Sequence, residues 1–461
     1  MSRNNFDKIR NFVSGTCDTL HRTSVHPTYY LDFLLCLPAL KYLSVLHNTK
    51  KQELLSKPNA NHKVVNEYLD ILLFKMPEDT YFEKIYELRY ESGNGERLLK
   101  AFSNIERHYK HGQFYNVFCR IEGQIHQLSN QDLCGLLEYL NNFPISFEFN
   151  SPYKNMMKDL SRYLFMVVGN NSHEYRTKSD TPENIAKLLA TLLNPKPNED
   201  ICDPLCSIGT LLATLGEYVR KNFEDCKSYN LYGQDNSNCS NLAKMNMLFL
   251  AEDDAIIECG DVISHPKFLT YNSKELFKFD VIVSNLIFTQ IPWEYEIDFA
   301  KKDPFNRFYR GLPPKSKKSY ALISHMVETL KDNTGRMAIL VPNTVLFGKS
   351  KKEANIRKQL IEENLLDAVI SLPTKVLTRI QIPANILIFS KNKLDNNILF
   401  IDASKDFIKI SSSQNDLTNE HINKIHHTYT TKENVGGYAS LVSINDIAKN
   451  NFNLTIDLYI K

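Results

Sequence analysis

Four polar residues of the kinds that bind small polar ligands each follow a short apolar run. They are Asp203, Asp235, Asp261 and Asn285. Asp203 precedes a tight turn and the start of a helix, an arrangement that suits a small polar ligand. Gly209 in that turn would permit close approach of the backbone. An acid placed like Asp235 commonly binds ribose hydroxyls, and Asp261 is placed to reach an exocyclic amine.

Each acid also has an ordinary structural interpretation. Asp203 fits a plain strand-to-helix turn, Asp235 a helix N-cap and Asp261 a surface turn. Coincidence is a weaker explanation for all of them together than for any one. Cys202 and Cys206 stand four residues apart, but burial beside a strand explains them better than a metal site does, so we predict no metal.

The elements that must position these residues alternate between strands and helices from about residue 181. The run from Val281 to Val283 is short and β-branched, which is typical of a buried parallel strand. Ligands of open α/β sheets bind at the carboxyl ends of strands, where Asn285 and Phe288 stand. Strands are predicted near 201–202, 231–233, 255–257, 281–283, 337–341, 368–371 and 386–389, and helices over 211–221, 237–250, 320–330 and 355–364. This alternation predicts an α/β fold with a doubly wound, mostly parallel, Rossmann-like sheet.

The pattern of apolar residues changes along the chain and predicts three domains. Residues 1–165 show helical spacing and predict a helical N-terminal domain, in which Pro38 would kink or end the apolar helix from Tyr29 to Leu43. Residues 166–403 carry the sheet and begin with a helix that Thr181-Pro182 would start, with Pro182 at its first position. Residues 404–461 are predicted to form a C-terminal helical tail.

Composition is that of a soluble globular protein, with 43% hydrophobic and 23% charged residues. The formal net charge is only +2, so contact with nucleic acid requires a local patch or a partner subunit. We find no apolar run of the ~18 residues that a membrane span needs. The polar N-terminus lacks the apolar core of a signal peptide, and scattered cysteines without CxxC pairs indicate a cytoplasmic protein.

The order of motifs resembles the modification (M) subunit of type I restriction-modification systems, a family of adenine-N6 DNA methyltransferases. Residues 203–209 resemble its DPxCGSG, residues 232–235 and 242–247 its GQE and LAxMN segments, Gly260-Asp261 its GD, and 279–288 its FDxxxxNPPF. Further similarity covers 307–315, 335–347, 356–370, 400–404 and 417–425. The resemblance is dense from about 181 to 461 and implies a class I methyltransferase sheet.

The resemblance implies S-adenosyl-L-methionine as the cofactor. Asp203 would bind the methionine amino group, Asp235 the ribose hydroxyls and Asp261 the adenine amine. Thr181-Pro182 would approach the methionine end. Cys206 and Gly209 would line the same loop.

The resemblance also implies catalytic roles. Asn285 and the main-chain carbonyl of Leu286 would accept hydrogen bonds from the target adenine's amine, which favours a pyramidal, nucleophilic nitrogen. Phe288 would stack on the flipped-out base, a contact worth ~1–3 kcal/mol. Neither a metal nor a covalent intermediate is needed.

The partners implied by the resemblance are double-stranded DNA with a flipped adenine and a specificity subunit. No target-recognition repeat is visible in this chain, so the choice of DNA sequence must come from elsewhere. A restriction subunit and a second copy of the chain are further partners that the resemblance allows. No membrane is expected.

Some residues depart from the family pattern. Leu286-Ile287 replace Pro-Pro, which leaves the carbonyl of residue 286 less constrained. Ser207 and Ile208 replace Gly and Ser in the cofactor loop, and Leu377 stands where a second aromatic is common. One alternative is therefore a degenerate methyltransferase retained for DNA binding or assembly. Another is a methyltransferase acting on RNA, protein or a small amine.

Overall fold

The structure, a computed structural model, describes most of the chain. The described residues are 3–58, 60–72, 76–109, 114–148, 151–153, 155–171, 181–223, 228–235, 239–250, 252, 254–272, 274–287, 292–293, 296–348, 350–377 and 383–460. Contacts divide the chain into two compact units, one of residues 1–177 with 241–253 and the other of 178–240 with 254–461. The segment 241–253 thus belongs to the first unit by its contacts, although it lies within the sheet-bearing part of the sequence.

The first unit is helical. Its helices are α1 (Arg3–His21), α2 (Tyr30–Leu55), α3 (His62–Leu72), α4 (Phe82–Glu87), α5 (Asn94–His108), α6 (Cys119–Ile125), α7 (Asn130–Asn141) and α8 (Met156–Asn171). Most of the helix Cys239–Phe249 joins them: the Ser161 hydroxyl donates to Asn246 Oδ1, and Met245 Sδ lies 3.9 Å from Cys36 Sγ.

Helix α2 differs from its prediction in two ways. It continues through Pro38, where an end was one predicted outcome, because packing on nearly all sides compensates for the hydrogen bond that proline cannot make. The segment Pro27–Leu55 is also long and apolar enough to cross a membrane by length and composition, although polar residues interrupt its apolar run. Its most apolar window is 72% buried within the protein, and Lys41 donates to three carbonyls, those of Leu140, Asn141 and Phe143. These features are those of a core helix.

The second unit contains a nine-stranded sheet in the order β11-β8-β6-β7-β5-β4-β1-β2-β3. The strands are β1 (Asp200–Asp203), β2 (Asn230–Asp235), β3 (Ile256–Cys259), β4 (Val281–Asn285), β5 (Arg336–Pro342), β6 (Leu366–Ser371), β7 (Ala384–Ser390), β8 (Asn397–Asp402) and β11 (Ala439–Ser443). Strands β1 to β5 pair in parallel, and β6 pairs in parallel with β8, whereas β7 and β11 run antiparallel to their neighbours. The predicted α/β fold with a mostly parallel sheet is confirmed.

The central strands form where the sequence offers continuous β-branched and aliphatic residues. Val281, Ile282 and Val283 are fully buried, as expected of a strand covered on both faces. Each of the seven predicted strands is present within a few residues. The chain order changes direction between β1 and β4, and such a point opens a crevice beyond the carboxyl ends of the strands.

Helices alternate with the strands along this part of the chain. They are α9 (Glu183–Leu193), α10 (Thr210–Asn222), α11 (Cys239–Phe249, most of which packs in the first unit), α12 (Ile297–Lys301), α13 (Ser319–Glu328), α14 (Thr344–Phe347), α15 (Lys351–Glu362), α16 (Asn419–Thr431) and α17 (Ile444–Lys449). Pro182 is the N-cap of α9 and not its first residue.

Residues 404–461 were predicted to be a helical tail, but they contain strands as well as helices. Strand β11 closes one edge of the main sheet against β8. Strands β9 (Ile408–Lys409) and β10 (Asn415–Asp416) form a separate antiparallel pair. The division of the chain at 165 and 403 stays a prediction.

Candidate active site

The predicted site residues stand at one edge of the sheet. Asp203, Asp235 and Asn285 are the last residues of β1, β2 and β4, and Asp261 follows the end of β3 by two positions. Because these strands run parallel, their carboxyl ends lie at the same edge. The topology therefore brings the four polar residues together on either side of the crevice between β1 and β4.

The loop after β1 is tied down by backbone groups. The Cys206 N–H donates to the Gln234 carbonyl at 3.0 Å, and the Ser207 N–H donates to Asp235 Oδ2 at 3.1 Å. Ser207 has φ of 49° and Gly209 has φ of 80°, so both adopt the left-handed conformation. Glycine adopts it freely, whereas a serine there carries a cost of about 1 kcal/mol. The loop thus keeps a shape suited to glycine at position 207 although a serine occupies it.

Gly233 makes room for this loop. A Cβ atom there would lie 2.9 Å from the Cys206 sulfur and 2.6 Å from Ile257 Cδ1. Cys206 itself is buried, as is Ile208. A side chain at 233 would therefore push the loop out of its place beside β2.

Asp203 is a buried carboxyl with polar partners on one oxygen. Its Oδ1 accepts the Ser284 hydroxyl at 2.8 Å and the Leu205 N–H at 3.0 Å. Burial raises the pKa of Asp203 to about 7; these two hydrogen bonds lower it, and nearby Asp235 raises it further. The carboxyl thus titrates near neutrality and would bind a cation with release of a proton.

Asp261 is only partly buried, and it has a counter-ion. Its Oδ1 accepts the N–H groups of Ile263 and Ser264, each at 2.9 Å, while Oδ2 pairs with Lys318 Nζ. Burial would raise the pKa of Asp261, but Lys318 and the bonds from Ser264 lower it below its usual value. Lys318 also donates to Glu296 Oε1 at 2.9 Å.

A buried arginine holds the backbone after Asp261. The guanidinium of Arg307 donates to the carbonyls of Val262 and Ile263, both at 2.7 Å, and pairs with Asp303. Burial, together with Arg307 itself, lowers the pKa of His325 to about 3, so its ring is neutral and accepts from Arg307 at 3.1 Å. This network fixes the position of the loop that carries Asp261.

Gln234 fixes the same loop from the other side. Its side chain donates to the carbonyls of Gly260 and His265 and accepts the Lys267 N–H. The loop between β3 and β4 is therefore bound both to the end of β2 and to the segment that contains Arg307.

Two contacts with described residues orient Asn285. Its Nδ2 donates to the Thr181 hydroxyl at 3.1 Å, and its Oδ1 accepts the Ile287 N–H at 3.1 Å. Thr181 is buried beside Pro182 at the start of α9. Leu286 and Ile287 are buried as well, and the Leu286 N–H donates to the Leu340 carbonyl at 2.8 Å, which continues the pairing of β4 with β5.

Sequence reasoning located the acids and Asn285 but missed their supporting residues. Phe288, the predicted stacking residue, lies outside the described residues. Ser284, Gln234, Arg307 and Lys318 received no role, although the first three stand within motifs that were recognised. The available signal for Arg307 was its position in a run of aromatic residues and prolines. The sequence around Lys318 contains no comparable signal.

Comparison with known proteins gives a consistent result. Residues 154–461 match the profile of the family described as N-6 DNA Methylase. The chain is 31% identical over 297 residues to the type I restriction enzyme MjaVII methylase subunit of Methanocaldococcus jannaschii, covering 61% of this chain and 48% of that protein. It is 26% identical to the MjaIX methylase subunit of the same organism over 98% of this chain and 84% of that one. The chain therefore spans about half the length of the first relative.

A solved structure bears on the fold. The type I restriction-modification system methyltransferase subunit from Streptococcus thermophilus superposes with a TM-score of 0.80 at 24% identity, covering 99% of this chain and all of that one. The likeness extends through the helical N-terminal part as well as the sheet.

Lys318→Met should destabilise the second unit. Removing the buried cation leaves the partly buried Asp261 without its counter-ion, at a cost of up to about 3–5 kcal/mol. The pKa of Asp261 is lowered in the folded state, so its contribution to stability is present at neutral pH and is lost as pH falls through that pKa. The loss measured by urea denaturation should thus be largest near pH 7 and shrink toward acid.

Lys315→Met is the matched control, because Lys315 is exposed and close by. We expect less than about 1 kcal/mol for it. Equal losses for the two variants, or a loss for Lys318→Met that is independent of pH, would show that the ion pair does not stabilise the fold.

Proposed function

Because the chain belongs to the N-6 DNA methylase family, we propose that it transfers a methyl group from S-adenosyl-L-methionine to the N6 amine of adenine in DNA. It would do so as the modification subunit of a type I system. The observation that carries the proposal is the placement of Asp203, Asp235, Asp261 and Asn285 at one edge of the sheet. The Ser284 hydroxyl, next to Asn285, also donates to Asp203.

The residues present fit the cofactor. A methionine ammonium group requires an anion, and Asp203 offers a buried carboxyl whose proton can leave near pH 7. Ribose hydroxyls require acceptors, and Asp235 provides a carboxylate beside the Ser207 N–H. Asp261 remains an acceptor for the adenine amine, because each carboxylate oxygen can accept more than one hydrogen bond. Thr181-Pro182, Cys206 and Gly209 would line the methionine end.

The cofactor supplies, when bound, a methyl group on a positively charged sulfur. Asn285 Oδ1 and the Leu286 carbonyl would accept hydrogen bonds from the adenine amine, which concentrates its lone pair toward the methyl carbon. With the methyl group that the cofactor would supply, the amine would become a methylated cation held by these two acceptors, and its extra proton would leave to water because both acceptors are neutral. Phe288 would stack on the flipped base and hold it in line.

The partners are proposed on chemical grounds and by similarity. The substrate is double-stranded DNA with one adenine flipped out, and a separate specificity subunit selects the sequence. The net charge of +2 supports a need for that partner, because the chain alone offers little general attraction to phosphates. A restriction subunit and a second copy of the chain would complete the assembly. We place this activity in the cytoplasm.

A second candidate is a degenerate methyltransferase that serves in DNA binding or assembly. The observation in its favour is that the chain's own groups contact both ends of the Asn285 amide, namely Thr181 and the Ile287 N–H. The left-handed backbone at Ser207 in the cofactor loop also favours this alternative. Cofactor binding without methyl transfer would identify this alternative.

Asp235→Ala should weaken cofactor binding. Loss of one side of a charged hydrogen bond costs about 1.5–3 kcal/mol, or roughly ten- to hundredfold in the dissociation constant. Calorimetry with S-adenosylmethionine measures it, with Glu258→Ala as control, because Glu258 is an exposed carboxylate on the neighbouring strand β3. Absence of binding by the wild-type protein would refute the cofactor assignment.

Cofactor affinity should fall as pH drops below 7. Burial raises the pKa of Asp203 to about 7, so below that pH the cofactor's ammonium must displace a proton before it pairs with the carboxylate. The limit is about tenfold per pH unit. Ser284→Ala removes a hydrogen bond that lowers this pKa and should move the profile to higher pH.

Asp203→Asn provides the control for this titration. It should bind the cofactor weakly at every pH, with no inflection near 7. Calorimetry between pH 5.5 and 8.5 in two buffers of different ionisation enthalpy counts the released protons. An inflection that survives in Asp203→Asn would mean that another group titrates.

Asn285→Ala should abolish methyl transfer. Removal of one preorganised hydrogen-bonding group from a transition state costs about 10²–10³ in rate. The assay is transfer of a tritiated methyl group to adenine-containing duplex DNA with the specificity partner present. Asn396→Ala, at an exposed asparagine, is the control. Activity that persists in Asn285→Ala would place catalysis elsewhere.

A further inference from the structure

In the turn after β4, the backbone N–H of residue 287 contacts the side chain of Asn285. Asn285 Oδ1, the oxygen proposed to accept the target amine, accepts the backbone N–H of Ile287 at 3.1 Å. Every residue except proline carries this N–H group. The contact therefore depends on the absence of proline at 287 and not on the isoleucine side chain, which is buried.

The other proline position of the family pattern behaves differently. The Leu286 N–H donates to the Leu340 carbonyl at 2.8 Å and extends the parallel ladder of β4 and β5 by one residue. Leu286 is fully buried in the core beneath the sheet. A proline at 286 would remove a bond that holds the turn, whereas a proline at 287 would remove a bond to the reacting oxygen.

Granted the proposed function, on which it rests, we infer that the Ile287 N–H is an inhibitory donor that competes with the target adenine for Asn285 Oδ1. A carbonyl oxygen has two lone pairs, so the adenine amine can still bind, but it shares the oxygen with a second donor. Asn285 Nδ2 is held by Thr181, so the amide cannot rotate away without losing that bond also. In the resting site, Asn285 Oδ1 therefore already accepts a hydrogen bond from the chain's own backbone.

The test separates the two proline positions. Ile287→Pro should raise the rate constant of methyl transfer roughly two- to tenfold, the range of one net hydrogen bond, with cofactor affinity unchanged. Ile287→Val keeps the N–H and alters only the buried side chain, so it should not show the increase expected of Ile287→Pro. Leu286→Pro should lower the rate, because it breaks the bond to Leu340.

A backbone ester at position 287 tests the N–H alone. Replacing the isoleucine by its α-hydroxy acid removes the donor without fixing φ, so it decides the matter if Ile287→Pro fails to fold. A single-turnover rate above that of the wild type in the ester variant supports the inhibitory donor. A rate equal to or below that of the wild type overturns it and leaves the proposed function intact.

Amide hydrogen exchange supplies a readout that does not depend on turnover. The Ile287 N–H should exchange roughly two- to tenfold faster in the complex with target duplex, specificity partner and S-adenosylhomocysteine than in the free protein, because the target amine weakens a hydrogen bond whose acceptor it shares. Unchanged protection would overturn the inference. Absence of methyl transfer in the wild type and in every variant, with cofactor bound, would refute the proposed function and this inference together.

Discussion

Parallel pairing of β1 with β2 on one side and β4 on the other is the constraint on which the site depends. Parallel strands end at the same edge, so residues far apart in the chain meet there. Asn285 contacts Thr181 across 104 positions of sequence, and Ser284 reaches Asp203 across 81. Backbone ladders with β1 on one side of β4 and β5 on the other hold this register.

Two carboxyls at this edge, the buried Asp203 and the partly buried Asp261, are stabilised by different means. Asp261 has a resident cation, Lys318, and remains ionised at neutral pH. Among the described residues, the donors to Asp203 are the neutral Ser284 hydroxyl and Leu205 N–H, and burial moves its pKa to about 7. The difference suits their proposed ligands: a positively charged amino group can complete the ion pair that Asp203 lacks, whereas a neutral adenine amine needs an acceptor that is already ionised. Lys318 is also the N-cap of α13, an unfavourable place for a cation, and Asp261 with Glu296 offsets that cost.

Sequence reasoning reached the fold because local signals were strong. The β-branched run of β4 and the alternation of short apolar strands with helices predicted a parallel sheet, and the acids marked its edge. Strand β11 escaped prediction because its residues, Ala439–Ser443, are mixed in character and pair only because β8 offers an open edge. Lys318 escaped for a related reason: it stands 57 residues from Asp261, and no local pattern links the two.

The turn at 285–287 shows a further limit of reasoning from side chains. Leu286-Ile287 differ from Pro-Pro in the shape of their side chains, and both are buried. What also changes is the backbone, which gains an N–H at each position. One of these groups joins the sheet and the other contacts Asn285. A departure from the family pattern can thus stabilise the sheet at one residue and, as we propose, inhibit the reaction at the next. The hydrogen-bond partner of each N–H distinguishes the two cases.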